Sequence, residues 1–464
     1  MRKTGVILLG WLVVAGMSFS YTGCDNEQQL MMERYPHILA GGSTTTFVAD
    51  STAYLQPLSN LSPENLARHK RGEAIFRRKF LPYGNGPESG LGPLFIQDNC
   101  AACHHNNGRS HPPLTEVDYT SGLLMRMSVP GLGPHGEPMG VPGFGLQLQT
   151  RALPGAQPEG LIKYTYEHFY EEFPDGTKVL MHKPSHGIIN PYIPVPKGTM
   201  FSLRNASPVY GLGLLEAVSE EEILSRYEER DKDGDNITGR PNYVWNAYTN
   251  QKDLGRFGWK GSHPTVIQQA AEAFHQDMGI TSVHFFPQEN GIGQSNCTFG
   301  FGDHPDIDSA MVADVAFYLL TIAPPAPRNQ DDPVVKRGRE VFMQINCSGC
   351  HTPELRTGKH PIAELSYQTI YPYTDLLLHE MGEGIADSRP DHEASTNEWR
   401  TPPLWGIGLT KIVNPHARFM HDGRAATLEE AILWHEGEGY WTTVAYKNLP
   451  KSDREALIKF LESL

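Results

Sequence analysis

Two pentapeptides carry the side chains best suited to chemistry: Cys100-Ala101-Ala102-Cys103-His104 and Cys347-Ser348-Gly349-Cys350-His351. Cys-x-x-Cys-His is the attachment signature of a c-type haem. Cysteines three apart span the edge of a porphyrin and form thioethers with its vinyl groups. The histidine that follows is held where its imidazole reaches the iron. Cys100, Cys103, Cys347 and Cys350 are therefore read as attachment points, and His104 and His351 as iron ligands of two covalently bound haem c groups. A zinc knuckle would want two paired Cys-x-x-Cys units and no obligatory histidine. A thioredoxin-like dithiol would sit where a strand runs into a helix. The repeated signature takes four of the six cysteines and leaves Cys24 and Cys297. Cys297 reads as a free, buried thiol.

The elements that must position these groups are set by the rest of the composition. The chain has 464 residues, room for two or three domains, and its 46 Gly and 36 Pro imply much irregular structure. That suits a protein whose cofactors supply part of the apolar core. A net charge of −14 argues against nucleic acid and against an anionic membrane surface as partners. It is compatible with a basic redox partner and equally with a solvated acidic surface. Arg2 and Lys3 precede an apolar run from Val6 to Phe19, then Ser20-Tyr21-Thr22-Gly23-Cys24. Residues 1–24 read as a signal peptide of lipoprotein type, with Tyr21 where such sites usually carry an aliphatic residue. The expected location is the periplasm or outer cell surface, with a lipid anchor at Cys24 as the one membrane link. Residues 25–58 read as a flexible tether.

A first helix is expected from Ser62-Pro63, with serine as N-cap and proline in the first turn. It contains Lys70-Arg71-Gly72 and, four residues after the glycine, Phe76. The same phrase returns as Lys336-Arg337-Gly338 with Phe342, just before the second haem motif. Each copy reads as the opening helix of a cytochrome c fold. The expected architecture is mainly α, with two cytochrome c-like domains at 59–327 and 328–464 and a stiff linker at Ala323–Pro327. A β-containing insertion is expected at about 105–208, with short strands at Leu161–Tyr166 and Lys178–Met181. Asp231, Asp233 and Asp235 alternate as in a Ca²⁺ loop. Asn236 and Asn242 stand where an EF-hand has glycine and glutamate, so a solvated acidic turn competes with calcium.

Longer phrases carry a family resemblance. They are Gly255-Arg256-Phe257-Gly258-Trp259-Lys260, Asp277-Met278-Gly279-Ile280-Thr281-Ser282, the stretch Tyr371 to His379, Arg400 to Trp405, and Phe419 to His435. From about Arg71 to Leu464 the chain resembles the di-haem oxidoreductase family, also called thiol oxidoreductases or peroxidases. That family is related to bacterial dihaem cytochrome c peroxidases. In those peroxidases the second ligand of the C-terminal haem is a methionine fourteen residues after the histidine of a His-Asp-Gly phrase. The same count from His421 lands on His435, so the resemblance implies a bis-histidine haem held by His351 and His435. A capping or propionate-binding role for His435 is the alternative. The peroxidases also carry a tryptophan near the path between haems, a glutamine ten residues later and an acidic-Met pair beyond. Trp259, Gln269, Asp277 and Met278 stand at or near those places, the last two slipped by two residues. The resemblance implies Gln269 and Asp277 in a distal pocket above the His104 haem, with Asp277 as general acid–base. Met278 would be either a closing axial ligand or a core residue, and Trp259 either an electron conduit or core. His421 is expected at a propionate or the domain interface, and His379 near the second haem or simply buried.

The implied activity is that of an exported c-type dihaem oxidoreductase, peroxidase-like. A periplasmic donor or acceptor protein would exchange electrons with the C-terminal haem. The N-terminal haem would reduce hydrogen peroxide or a similar small oxidant. The alternative is a dihaem electron carrier without turnover. Thiol chemistry has little support, because only Cys297 is left free.

Overall fold

The computed structural model describes residues 31–82, 89–115, 118–285 and 304–464. The expected signal peptide, Cys24 and Cys297 lie outside the described residues. The fold is mixed, 31% helical and 21% strand, so the mainly α expectation is not upheld.

Six helices matter for the sites: α1 (Pro63–Phe76), α2 (Val266–Met278), α3 (Ser309–Leu320), α4 (Pro333–Gln344), α5 (Leu428–Leu433) and α6 (Lys451–Ser463). Five begin at a side-chain cap, supplied by Ser62, Thr265, Asp308, Asp332 and Thr427. Each cap satisfies an amide that has no partner inside the helix. Helix α2 ends at Gly279, whose φ of 64° is left-handed backbone that glycine adopts without strain.

The repeated Lys-Arg-Gly phrase marks two helix crossings. A Cβ on Gly72 would lie 2.0 Å from the Asp314 carbonyl oxygen of α3 and 2.7 Å from Tyr318 Cβ. A Cβ on Gly338 would lie 2.0 Å from the Ala456 carbonyl oxygen of α6 and 2.7 Å from Phe460 Cβ. Only hydrogen fits at these contacts, so both helix pairs approach backbone to backbone. The phenylalanine one turn later then faces inward. Phe76 lies 6.1 Å from the His104 ring, and Phe342 packs on Tyr373 and Phe460 at 5.7 and 5.4 Å.

Two large apolar cores form around these pairs, but they do not divide the chain at the expected linker. Leu365, Ile370, Leu377, Trp405 and Leu409 belong to the first core although they follow it in sequence. Residues 31–58, expected as part of a tether, are folded against that core. Ala40, Ala53, Tyr54 and Leu58 are buried in it, and the Tyr54 hydroxyl donates to the Gly406 carbonyl at 2.5 Å. Ala323 and Ala326 donate backbone hydrogen bonds to Gln56 and Thr46, so the proline-rich segment is a buried crossing rather than a spacer.

The insertion does contain strands: β1 (Leu123–Leu132), β2 (Leu161–Glu172), β3 (Lys178–Ile189) and β4 (Met200–Asn205). β1 pairs antiparallel with β4. β2 and β3 form a hairpin of twelve residues a side, in register from Leu161↔Ile189 to Glu172↔Lys178. This is far longer than the two short strands expected. The hairpin reaches the C-terminal core, where Phe173, Val179 and Met181 are buried. Tyr164 and Tyr166 donate to the carbonyls of Asp422 and Gly423 at 3.0 Å each, and the His182 amide donates to Glu430 at 2.7 Å. The insertion thus braces the two halves.

Candidate functional site

Each Cys-x-x-Cys-His motif opens onto its own cavity, of about 250 Å³ at the first and about 170 Å³ at the second. In the second, His351 faces His435 with ring centres 6.5 Å apart. Two imidazoles on opposite sides of one metal, with bonds of about 2 Å, place their ring centres roughly 6 Å apart. His351 Nδ1 bonds the Tyr373 carbonyl at 3.0 Å, and His435 Nδ1 bonds the Ala431 carbonyl at 2.8 Å. A carbonyl can only accept, so each Nδ1 carries the proton and each Nε2 is left bare as a ligand atom. Burial holds both rings below the ordinary histidine range, His351 at about 4, so they are neutral near pH 7. Neutral imidazole is the form that binds metal. His435 owes its position to α5, which ends two residues before it.

In the first cavity His104 repeats the arrangement. Its Nδ1 bonds the Ser207 carbonyl at 2.8 Å, and burial holds the ring at about 4. One face of α2 lines the same cavity, with Val266, Gln269, Ala270, Phe274, Asp277 and Met278 at helical spacing along its wall. Gln269 Oε1 is buried with no partner. Asp277 accepts from Gln147 Nε2 at 2.7 Å, and burial raises its carboxyl to about 6. The Asp277 carbonyl accepts the amides of Ile96 and Gln97, just ahead of the attachment motif. Its carboxylate acts electrostatically on the Cys100 and Cys103 thiols, at the cysteine end of the cavity. Met278 lines the same wall but is 2% exposed and packs in the first core.

The four motif cysteines form no disulfides. Burial pushes the Cys100 and Cys347 thiols up to about 12 and raises Cys103 and Cys350 as well. Among the described residues no cluster of metal-capable donors includes these thiols. A thiol pair at a cavity edge with an adjacent bare Nε2 is the donor set that a covalently held haem needs, and the residues fit that group.

The remaining candidates separate clearly. Trp259 lines both cavities and donates its indole N–H to the Asn205 carbonyl at 2.9 Å. His421 lines the second cavity, stacked on Trp399 at 3.6 Å. His379 has Nε2 on Asp375 at 2.8 Å and Nδ1 on Glu438 at 2.6 Å, so neither nitrogen is free to ligate. The calcium triad does not assemble as expected. Asp231 and Asp233 converge with Glu228 instead, on the exposed surface. Asp235 turns away, accepting from the Ile237 amide and from Asn346 Nδ2. That group is the one metal-capable cluster among the described residues.

Sequence reasoning missed a polar chain in the first cavity wall. Ser262 Oγ lies 3.1 Å from His263 Nδ1, and His263 Nε2 lies 2.7 Å from Glu272, which pairs with Arg126 at 3.0 Å. It also missed Gln147, which arrives from the insertion. The residues straddle a loop, a helix and a distant strand, so no spacing rule links them.

A family model described as "Di-haem oxidoreductase, putative peroxidase" matches residues 35–464. No curated protein matches the chain. Among solved structures, a hydrazine synthase from Kuenenia stuttgartiensis aligns at 13% identity, covering 91% of this chain and 96% of that one, with a TM-score of 0.32. The diheme peroxidase BthA from Burkholderia thailandensis aligns at 14% identity, covering 91% of each chain, with a TM-score of 0.36. The family match spans nearly the whole sequence and both haem motifs: the chain belongs to the di-haem oxidoreductase family.

Proposed function

We propose that this protein is an exported oxidoreductase with two covalently bound haem c groups. Electrons are exchanged with a redox protein at the His351–His435 haem, and hydrogen peroxide or a similar small oxidant is reduced at the His104 haem. A bound haem supplies a redox iron and, where one face is open, a coordination position for the oxidant. The observation carrying this reading is the asymmetry of the cavities. One presents two facing imidazoles with bare nitrogens. The other, among the described residues, presents a single such imidazole.

Reduction of hydrogen peroxide to two waters takes two electrons and two protons. With its carboxyl at about 6, Asp277 can hold a proton and release it near neutral pH. Gln147 fixes the carboxyl in place, and the unpartnered Gln269 oxygen accepts a hydrogen bond from a small polar ligand. His263, held by Glu272 behind it, brings a second ionisable side chain to the same cavity. Trp259 spans the partition between the cavities. Export, and a lipid anchor at Cys24, are supported by the apolar N-terminal run and by the fact that bacterial haem c attachment occurs outside the cytoplasmic membrane.

Electron paramagnetic resonance of the oxidised and half-reduced protein, with a peroxide turnover assay, tests the proposal. One low-spin haem and one high-spin haem with turnover are expected. The Met278 thioether in the first cavity wall favours a second reading, a pure electron carrier. Two low-spin haems in both states, without turnover, would establish that reading instead.

A further inference from the structure

The partition between the cavities contains two buried cations with no carboxylate in ion-pair contact among the described residues, Asp422 and Asp375 acting on them only from longer range. Arg109 and Arg400 each line both cavities and are 7% and 8% exposed. Their hydrogen bonds go to carbonyls: Arg109 Nη2 to Met420 at 2.6 Å, Arg400 Nε to Gly258 at 3.0 Å and Nη1 to Thr401 at 2.9 Å. Arg109 Nε is buried with no partner at all. Among the described residues no carboxylate comes within 4.0 Å of either guanidinium. Their neighbours are treated differently. Arg126 has Glu272 at 3.0 Å, Lys260 has Asp387 at 3.0 Å, and Arg204 has Asp387 and Asp391 at 3.7 Å. Burial drags both unpaired groups below the ordinary arginine range, to about 10.

Burying a charge without a counter-charge is strongly unfavourable, and folded proteins pair such groups. An arginine fork is matched to a carboxylate, which it can take in two parallel hydrogen bonds. Each haem carries two carboxylates, its propionates, on the edge away from the vinyl groups that cysteines capture. We propose that Arg109 and Arg400 form a propionate clamp in the shared wall, taking a carboxylate from each haem. This rests on the two-haem reading above. The Arg109 guanidinium lies 5.0 Å from the centre of the Trp259 ring, so the clamp encloses the tryptophan that touches both cavities. The same two cations then act on both irons, and the haems are coupled electrostatically through one partition.

The test is spectroelectrochemical titration of the holoprotein with Arg109→Gln and Arg400→Gln, alongside resonance Raman of the propionate bending bands. A pyridine haemochrome count of two covalent haems per chain establishes the underlying reading independently. Given that count, Arg109→Gln should shift both midpoint potentials negative, because a positive charge near both irons is lost, and should move the propionate bands. Arg109→Lys, which keeps the charge, should restore most of the potential and is the variant to use if the glutamine form fails to mature. Unchanged potentials and bands, or a shift confined to one haem, would overturn the clamp. So would wild-type potentials that follow added phosphate or chloride, which would mean that a free anion fills the site.

Discussion

Replacing Gly338 by alanine should loosen the C-terminal haem site through a single methyl group. The added carbon would meet the Ala456 carbonyl oxygen at 2.0 Å, its carbon at 2.6 Å and Phe460 Cβ at 2.7 Å. Carbon pairs pack best at about 3.5–4.0 Å, so α4 and α6 must part by roughly 1 Å. The obstacles are backbone and Cβ atoms, which cannot swing aside. Overpacking of this kind costs about 1–3 kcal/mol, and the better helix propensity of alanine recovers about 1 kcal/mol. The clash involves three fixed atoms, which puts the net loss near 2 kcal/mol. The consequence is local, because α4 carries Phe342 and runs into Cys347. Denaturant unfolding followed by the absorbance of each haem should show the second site weakened first. Gly72→Ala, whose methyl meets the Asp314 carbonyl oxygen at 2.0 Å, should instead weaken the first. Gly358→Ala is the control, since its nearest neighbours lie at 3.7 and 3.8 Å. If Gly338→Ala proves as stable as Gly358→Ala, the close-crossing account of the repeat is wrong.

Three further outcomes are expected. His435→Ala should turn the second haem from low-spin to high-spin while its covalent content stays the same; an unchanged low-spin spectrum would exclude His435 as a ligand. Asp277→Asn should raise thermal stability at about pH 7.5 but not at about pH 4. Burial lifts the carboxyl from 3.8 to about 6, which corresponds to roughly 3 kcal/mol between its two protonation states. Stability present below pH 3.8 is lost as the pH rises through about 6, and asparagine removes that loss while still accepting from Gln147. The same variant should lose peroxide turnover, and parallel pH curves for the two proteins would refute the burial argument. Phe173→Ala should cost about 3–5 kcal/mol by emptying the place where the hairpin enters the C-terminal core. An unaltered urea midpoint would mean that the hairpin does not brace that core.

The two Cys-x-x-Cys-His motifs were legible because they are local. Cys100, Cys103 and His104 lie within five residues, as do Cys347, Cys350 and His351, so the bonds they can make follow from short covalent geometry. The two opening helices were legible for a similar reason, since the repeated Lys-Arg-Gly phrase marks them, but the close crossings at Gly72 and Gly338 emerged only in the folded chain. Counting from His421 pointed to His435, and the folded chain sets its ring centre 6.5 Å from that of His351. The folded 31–58 segment was not legible, because its serines and threonines look solvated in one dimension and are buried only by a core built from distant residues. Asp235 was misjudged because its carboxylate is spent on Asn346, more than a hundred residues away.

The sequence alone therefore determined the family and marked the two Cys-x-x-Cys-His motifs with their histidines. Only the tertiary structure decided which surfaces face each other across a cavity. Gln147 meets Asp277 from across 130 residues, and His263 meets Glu272 across a loop-to-helix boundary. Arg109 meets Trp259 through a wall assembled from both halves of the chain. Such contacts depend on burial and on which charges are left unpaired, and those quantities exist only once the chain has folded.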